Sequence, residues 1–439
     1  MHFCLLILSL LSSIALGLEG GGGKHWAVLV AGSRGWDNYR HQADVCHAYH
    51  VLRKNGFPRE NIITMMYDDV AYHRRNPFPG KLFNDYQHKD VYEGVKIDYR
   101  GTEVTPAMFL RVLKGDQELK ESGFKVVDSG PQDNVFIFFT DHGAPNLIVF
   151  PDGELYASEL NKTLASMNKA KRYRNMVLYI EACHSGSMFE RILPENVQIF
   201  AATAADPTES SWATFCADFS IDTCLADDFS YQWMTDTEKV NAMSQSFIRL
   251  LICHRDHLSN WSVLEQIFAV TLAVKGSHVM YYGDSKVALQ SVAEFQANGT
   301  RGTFNGFTGD RSMASRDRST ASHAHLIPLM HQMKKANSPK EMELAQKRFN
   351  RALELGKMAR ETMDEIVEEV TSTSSPSGKS TNVHERLDCY QKAYGQYKIK
   401  CFSIQQVPEV AKYLEKLDHL CEQGYDASVI TQAIFTACE

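Results

Sequence analysis

Short, nearly unbroken apolar runs recur through the first 290 residues, and they limit the fold more than any other feature of the chain. The clearest are Trp26–Ala31, Ile62–Tyr67, Asn134–Thr140, Met176–Glu181 and Val197–Thr203, each bounded by polar or turn-forming residues. A strand with one wet face alternates apolar and polar positions, so runs without alternation predict strands covered on both faces. Amphipathic stretches such as Ala43–Lys54 lie between them, which predicts an α/β unit with a mainly parallel central sheet and crossover helices. Its pattern begins near Lys24, and the unit is expected over residues 18–290. From 291 to 337 Gly, Ser, Thr, Arg and Asn replace the periodic pattern, as in Arg311–Thr320, and predict an exposed, cleavable linker. Residues 338–439 read as a second, all-α domain, with a long helix over Glu341–Val370, a break at Thr371–Gly378 and a cysteine-rich helical remainder. No internal repeat of useful length is present.

The N-terminal run Leu5–Leu16 is too short for the roughly 20 residues of a membrane-spanning helix. With Ala15 and Gly17 behind it, it predicts a secretory signal peptide over residues 1–17. No later stretch predicts a membrane span. Asn161, Asn260 and Asn298 each open an N-x-S/T triplet and are candidate glycan sites. Once Cys4 leaves with the signal, nine cysteines remain, an odd number, so at least one thiol is unpaired within the chain. The last four crowd together and suggest two bridges, Cys216 and Cys224 could close a short loop, and Cys46, Cys183 and Cys253 are unassigned. A formal charge of −7 without a Lys/Arg block argues against a nucleic-acid partner. Gly20–Gly23 lacks the following Lys-Ser/Thr of a phosphate loop. Cys253, His254 and His257, and the pair His323 and His325, lack a second closely spaced ligand set. No metal and no cofactor is therefore expected.

Two strand ends carry unusual chemistry: Thr140-Asp141-His142-Gly143 and Glu181-Ala182-Cys183-His184-Ser185-Gly186. Ligands of parallel sheets bind at the carboxyl ends of the strands, so His142 and Cys183 are expected in one cleft. A thiol becomes a nucleophile when a base or a cation favours its thiolate, and histidine is the usual partner. Gly143 leaves room for a substrate, and its N–H with that of Cys183 could hold a developing oxyanion. Taken singly, a strand-end cysteine is more often bridged or buried, and a lone histidine more often a core or loop residue. The odd cysteine count, the matching placement and the order, with the cysteine 41 residues after the histidine, favour a Cys/His hydrolase.

The segments Ala31–Asp44 (AGSRGWDNYRHQAD), Tyr67-Asp68-Asp69, Ser129–Asp133, Thr140–Gly143 and Glu181-Ala182-Cys183 together resemble the legumains, asparaginyl endopeptidases, from about Lys24 to the C-terminus. The resemblance implies a caspase-like α/β/α sandwich followed by a disulfide-stapled helical prodomain, and a cysteine protease of a lysosomal or vacuolar compartment, or a secreted one. It makes Cys183 the nucleophile, His142 the base and acid, Asn38 the support of the histidine and Gly143 an oxyanion donor. The asparagine pocket it implies consists of Arg40, His41, Glu181, Ser210 and Asp227. Such a list makes chemical sense, because a carboxamide presents one acceptor and one donor and is told apart by a cation facing carboxylates. Ionised aspartate should be refused and protonated aspartic acid accepted.

The same resemblance pairs Cys389 with Cys421 and Cys401 with Cys438, and likens Cys216–Cys224 to a bridge of plant members. It also makes the C-terminal domain an intramolecular inhibitor that caps the cleft. Asn337, at the linker boundary, is then the expected self-cleavage site, with Asn305 as a substitute, and acid is expected to loosen the cap. Proteins and peptides with exposed asparagine are the expected partners, and the sequence leaves open a dimer of the precursor. His184 departs from the family, which commonly has glutamate there, and Asp141 is linked in the family to peptide ligation. Two rival readings are a GPI-transamidase-like enzyme and a secreted peptide-binding pseudoenzyme. The missing C-terminal span and the four-cysteine domain argue against the first, and the intact Asn38, His142 and Cys183 against the second.

Overall fold

The computed structural model describes residues 23–243, 261–297, 317–378 and 382–439. Its centre is a seven-stranded sheet in the order β12-β9-β8-β4-β1-β2-β3. These strands are β1 (His25–Ala31), β2 (Ile62–Met66), β3 (Tyr99–Arg100), β4 (Asn134–Thr140), β8 (Asn175–Glu181), β9 (Ile199–Thr203) and β12 (Met280–Gly283). All neighbours run parallel except β12, which closes one edge antiparallel to β9. Successive side chains of a strand point to opposite faces, and β1 feeds two separate cores accordingly. Ala27, Leu29 and Ala31 enter one, with helix α1 (Tyr39–Lys54), while Trp26, Val28 and Val30 enter the other, with α2 (Pro106–Leu113) and α3 (Ala157–Lys169). Both faces are thus covered by helices, as the unbroken apolar runs require.

Short strands build the rim of the cleft at the carboxyl ends of the sheet. A hairpin sheet, β5 (Gly143–Ala144), β6 (Leu147–Val149) and β7 (Glu154–Tyr156), follows β4 directly. A second small sheet joins β10 (Trp212–Thr214), β11 (Ala226–Asp227) and β13 (Ser319–Thr320), with β11 running into α4 (Asp228–Met243). Helix α5 (Val263–Ala273) packs over the first core.

The stretch read as an exposed linker is ordered wherever it is described. Val292 and Phe295 are buried in the first core, so the α/β unit continues past residue 290. Farther on, β13 pairs antiparallel with β10, Arg318 lies 3.2 Å from the buried carboxylate of Asp228, and α6 (Ile327–Lys335) places Lys335 2.9 Å from Asp222. This segment is held by main-chain pairing and by charge, neither of which leaves a periodic apolar pattern to read. Asn305 and the Arg311–Arg316 run lie outside the described residues.

The C-terminal helices are α7 (Pro339–Thr373), α8 (Val383–Lys400), α9 (Val410–Gln423) and α10 (Ala427–Ala437). Cys389–Cys421 ties α8 to α9, and Cys401–Cys438 ties the end of α8 to the end of α10. Their core is not closed on itself: Met363, Ile366, Tyr394 and Leu414 share one cluster with Ala144, Leu147, Val149 and Tyr156 of the β5–β7 sheet. Burying Leu147 and Val149 is worth roughly 1.5–3 kcal/mol each, so the helices are seated on the α/β unit by apolar packing. No helix among the described residues is long and apolar enough to cross a membrane.

Candidate active site

Strands β4 and β8 are adjacent, parallel and in register, with Thr140 opposite Glu181. The residues two past those ends, His142 and Cys183, therefore leave the sheet side by side. A β-carbon on Gly143 would lie 2.4 Å from the Cys183 carbonyl oxygen and 2.9 Å from the Ala182 β-carbon, so only glycine lets the two loops touch. Val149 N–H donates to His142 C=O at 3.0 Å. That makes 142 and 149 a hydrogen-bonded pair, and the alternation of an antiparallel ladder then turns the Gly143 N–H away from β6.

Asn38 closes a short 3-10 turn, Trp36–Asn38, ahead of α1. Its Nδ2 donates to the Arg34 carbonyl at 3.1 Å, which leaves Oδ1 to accept from His142 Nε2 at 2.8 Å. With Nε2 carrying the proton, Nδ1 is the basic nitrogen. Burial, then the charges of Arg40 and His325, hold the imidazole well below its ordinary pKa, so it is neutral. Burial likewise pushes the Cys183 thiol up, against hydrogen bonds from Ser210 and Ser211. The sulfur rests 3.0 Å from Ser210 Oγ and 3.8 Å from Ser211 Oγ. Thiol and imidazole thus open on one cleft, but neither is the other's hydrogen-bond partner. Burial favours the neutral form of both groups, thiol and imidazole alike.

Of the residues expected to form the pocket, Arg40, His41, Glu181 and Asp227 are buried close together, while Ser210 lies half-buried against Cys183. Arg40 Nε lies 2.8 Å from Asp227 Oδ1, and His41 lies 3.4 Å from Asp227 Oδ2 and 3.2 Å from Asp141 Oδ1. Ser230 holds Glu181 Oε2 through its N–H (2.9 Å) and hydroxyl (3.0 Å). Burial raises the pKa of Asp44, Asp141, Glu181 and Asp227, with only Arg40 placed as a permanent cation against Asp227 and Asp141. Five atoms of this network, Arg40 Nη2, His41 Nε2, both carboxylate oxygens of Asp141 and Glu181 Oε1, are buried without a hydrogen-bond partner. Arg40 Nη2 and Glu181 Oε1 are two of unlike kind: one is a donor and the other an acceptor.

Sequence reading missed Ser33, whose hydroxyl is 2.6 Å from His41 Nδ1, and Asp44, which accepts from Asp227 N–H at 3.2 Å. Asp44 and Ser230 act across 183 and 49 residues and carry no local signal, whereas Ser33 lies eight residues before His41, within the Ala31–Asp44 segment. His184 is not a solvated side chain: it is buried in a left-handed turn (φ 55°), with Nδ1 3.1 Å from the Pro207 carbonyl. His323 and His325 engage Thr320 and Glu409. Cys216 and Cys224 are bridged; of the unassigned cysteines, Cys46 and Cys183 are free and buried, and Cys253 lies outside the described residues. Asn337 is exposed between α6 and α7. Asn161 Nδ2 donates to Ala157 and Met188 carbonyls, bonds that a glycan there would displace, while Asn260 and Asn298 lie outside the described residues.

Both openings of the cleft are covered. Ala411 and Lys412 line a cavity of about 250 Å³ beside Cys183, together with Thr320 and Ser322. Gln405 and Gln406 line another of about 390 Å³ beside His142.

A free thiol and an asparagine-held imidazole at neighbouring parallel strand ends are the parts a Cys/His hydrolase needs, and the relatives of this chain make it a cysteine endopeptidase. The chain belongs to the Peptidase C13 family, whose model matches residues 25–298. It is similar to a hemoglobinase of Schistosoma mansoni (46% identity, covering 94% of this chain and 91% of that one) and to legumain of Rattus norvegicus (38%, 95% and 93%). It is also similar to the vacuolar-processing enzyme delta-isozyme of Arabidopsis thaliana (36%, 95% and 90%). Among solved structures a distant likeness is caspase-1 of Spodoptera frugiperda, at TM-score 0.36 and 10% identity over 64% of this chain and 93% of that one.

Proposed function

We propose that this peptidase cleaves after asparagine, is latent until its C-terminal helices leave the cleft, and works in an acidic or extracellular compartment of the secretory route. The observation that carries the specificity is the orphaned pair in the pocket: a substrate carboxamide can accept from Arg40 Nη2 and donate to Glu181 Oε1. Filling both at once satisfies two buried groups that are otherwise costly to leave unpaired. His142 Nδ1 takes the thiol proton as Cys183 Sγ attacks the carbonyl, and the N–H groups of Gly143 and Cys183 receive the oxyanion. The imidazolium then protonates the leaving amine, and water hydrolyses the thioester. A peptide amine attacking in place of water would ligate, with Asp141 beside the base.

The test is a pair of reporters, Ala-Ala-Asn and Ala-Ala-Asp, after acid treatment. An ionised aspartate would set a second carboxylate against Glu181 and Asp227, so its turnover is expected only on the acid side, while asparagine is cleaved up to neutral pH. Equal turnover of the two at pH 7 would be incompatible with this pocket.

Latency is supported by contacts that cross from the helices to the α/β unit. The buried carboxylate of Glu154 meets Lys398 Nζ at 2.5 Å and the Tyr394 hydroxyl at 3.2 Å, and His325 in the segment ahead of the helices is 3.3 Å from Glu409. Loss of carboxylate charge in acid weakens pairs of this kind. Glu154→Ala strands Tyr394 and Lys398 at the interface and is expected to weaken docking by about 2 kcal/mol. Reporter activity should then appear without acid treatment. Unaltered latency in that variant would show that the contact does not hold the cap. Exposed Asn337 is the proposed cut.

A further inference from the structure

Two cavities flank the catalytic pair, and they are chemically unlike. The one beside Cys183 is bounded by Ser210 and by Thr320 and Ser322, next to the β10 edge. The other runs past the imidazole, from Asn38 and His142 along Val149, Phe150 and Pro151 to a rim formed by Ser33, Arg34 and Gly35. The group that protonates the departing amine must face the departing half of the peptide, which puts the second cavity on the leaving-group side.

Arg34 stands out there. Its side chain is exposed and appears in none of the ion pairs among the described residues, while its guanidinium sits 5.6 Å from the Tyr67 ring centroid, a cation–π placement that limits its wandering. Its backbone is fixed on both sides, because its carbonyl accepts from Asn38 Nδ2 and the next N–H, that of Gly35, donates to Asp69 Oδ2 at 2.8 Å. The carboxylates that share this cavity are already committed. Asp69 accepts from Gly35 and from Gln42 Nε2 (2.8 Å), and Asp141 is buried against His41. The cavity mouth therefore carries one permanently charged fork in no ion pair, beside an Asp69 carboxylate whose hydrogen bonds turn it to Gly35 and Gln42, and it is covered on the far side by the carboxamides Gln405 and Gln406.

Building on the peptidase reading above, we propose that this cavity holds the leaving-group side of the substrate, and that Arg34 recognises a peptide carboxylate there. A carboxylate matches the guanidinium fork in shape and charge. It can come from an acidic side chain or from a free C-terminus shortly after the scissile bond.

The test uses the acid-treated full chain and three peptides: Ala-Ala-Asn-Gly-Asp-amide, Ala-Ala-Asn-Gly-Gly with a free acid end, and Ala-Ala-Asn-Gly-Asn-amide. The ratio of kcat/KM for each carboxylate peptide to the neutral one is expected to be about fivefold in the wild type, as for a rim-exposed pair. It should fall to about one in Arg34→Gln, reverse in Arg34→Glu and largely persist in Arg34→Lys. Preference for only one of the two carboxylate peptides names the source. Ratios, unlike rates, do not move if a variant is simply less active. Binding of the same peptides to Cys183→Ala, processed in trans, separates the two claims. A carboxylate preference there, with no wild-type cleavage of the Ala-Ala-Asn reporter, upholds the anion site and sinks the asparaginyl activity. Equal ratios in wild type and Arg34→Gln overturn the anion site.

Discussion

Cys183→Ala is expected to remove peptide turnover by on the order of 10⁵-fold or more, since loss of a covalent nucleophile leaves only binding and oxyanion contacts to accelerate the reaction. The folded protein should survive, because the sulfur's hydrogen bonds are to Ser210 and Ser211 and no disulfide depends on it. Thermal melting within a few degrees of wild type, together with an Ala-Ala-Asn signal at background, is the outcome anticipated. Retention of even one per cent of the rate would mean that another group attacks. Cys46, the other free cysteine among the described residues, is ill placed for that, being fully buried with its thiol 4.0 Å from Met66 Sδ. Iodoacetamide should label position 183 in step with inactivation once the cap is off, and slowly before, as the thiol is 2% exposed.

Arg40→Gln should damage both selectivity and fold. The guanidinium is 1% exposed and its Nε donates to Asp227, so its removal leaves the buried carboxylates at 227 and 141 without their cation. Breaking such a buried pair from one side costs about 3–5 kcal/mol. Turnover of the asparagine reporter should fall by about 10³-fold or more, because the donor for the substrate amide oxygen is gone. Arg40→Lys keeps the charge without the fork, so it should recover much of the stability but little of the activity. The stability loss in Arg40→Gln has a definite pH sign. Burial raises the folded-state pKa values of Asp227 and Asp141 above the unfolded ones and Arg40 lowers them in part, so without it they rise further. The folded variant therefore takes up protons before the wild type as pH falls, and the deficit at neutral pH narrows in acid. Melting curves at pH 7 and 4.5 measure this; a deficit that widens in acid would contradict the charge network described.

Five of the seven central strands were legible because β1, β2, β4, β8 and β9 are covered on both faces and so lack polar interruptions. Strand β12 was not: Met280 and Tyr281 are exposed at the sheet edge and sit between short polar stretches, leaving no burial pattern to detect. The two-residue strands and the 317–335 segment escaped for the reason already given, that backbone pairing and ion pairs write nothing periodic into a sequence. Within the site, His142 and Cys183 could be placed together from strand ends alone. Arg40 and Asp227 could not, being 187 residues apart; only the family resemblance joined them. The contacts of the thiol with Ser210 and Ser211 were invisible too, since those serines lie 27 and 28 residues farther along the chain.

The C-terminal helices grip β5 and β6, the strands that begin immediately after the catalytic histidine. Shedding them bares a greasy ledge of Ala144, Leu147, Val149 and Tyr156 a few residues from the working centre. Under the proposed release, the α/β unit alone is expected to self-associate and to melt earlier than the intact chain.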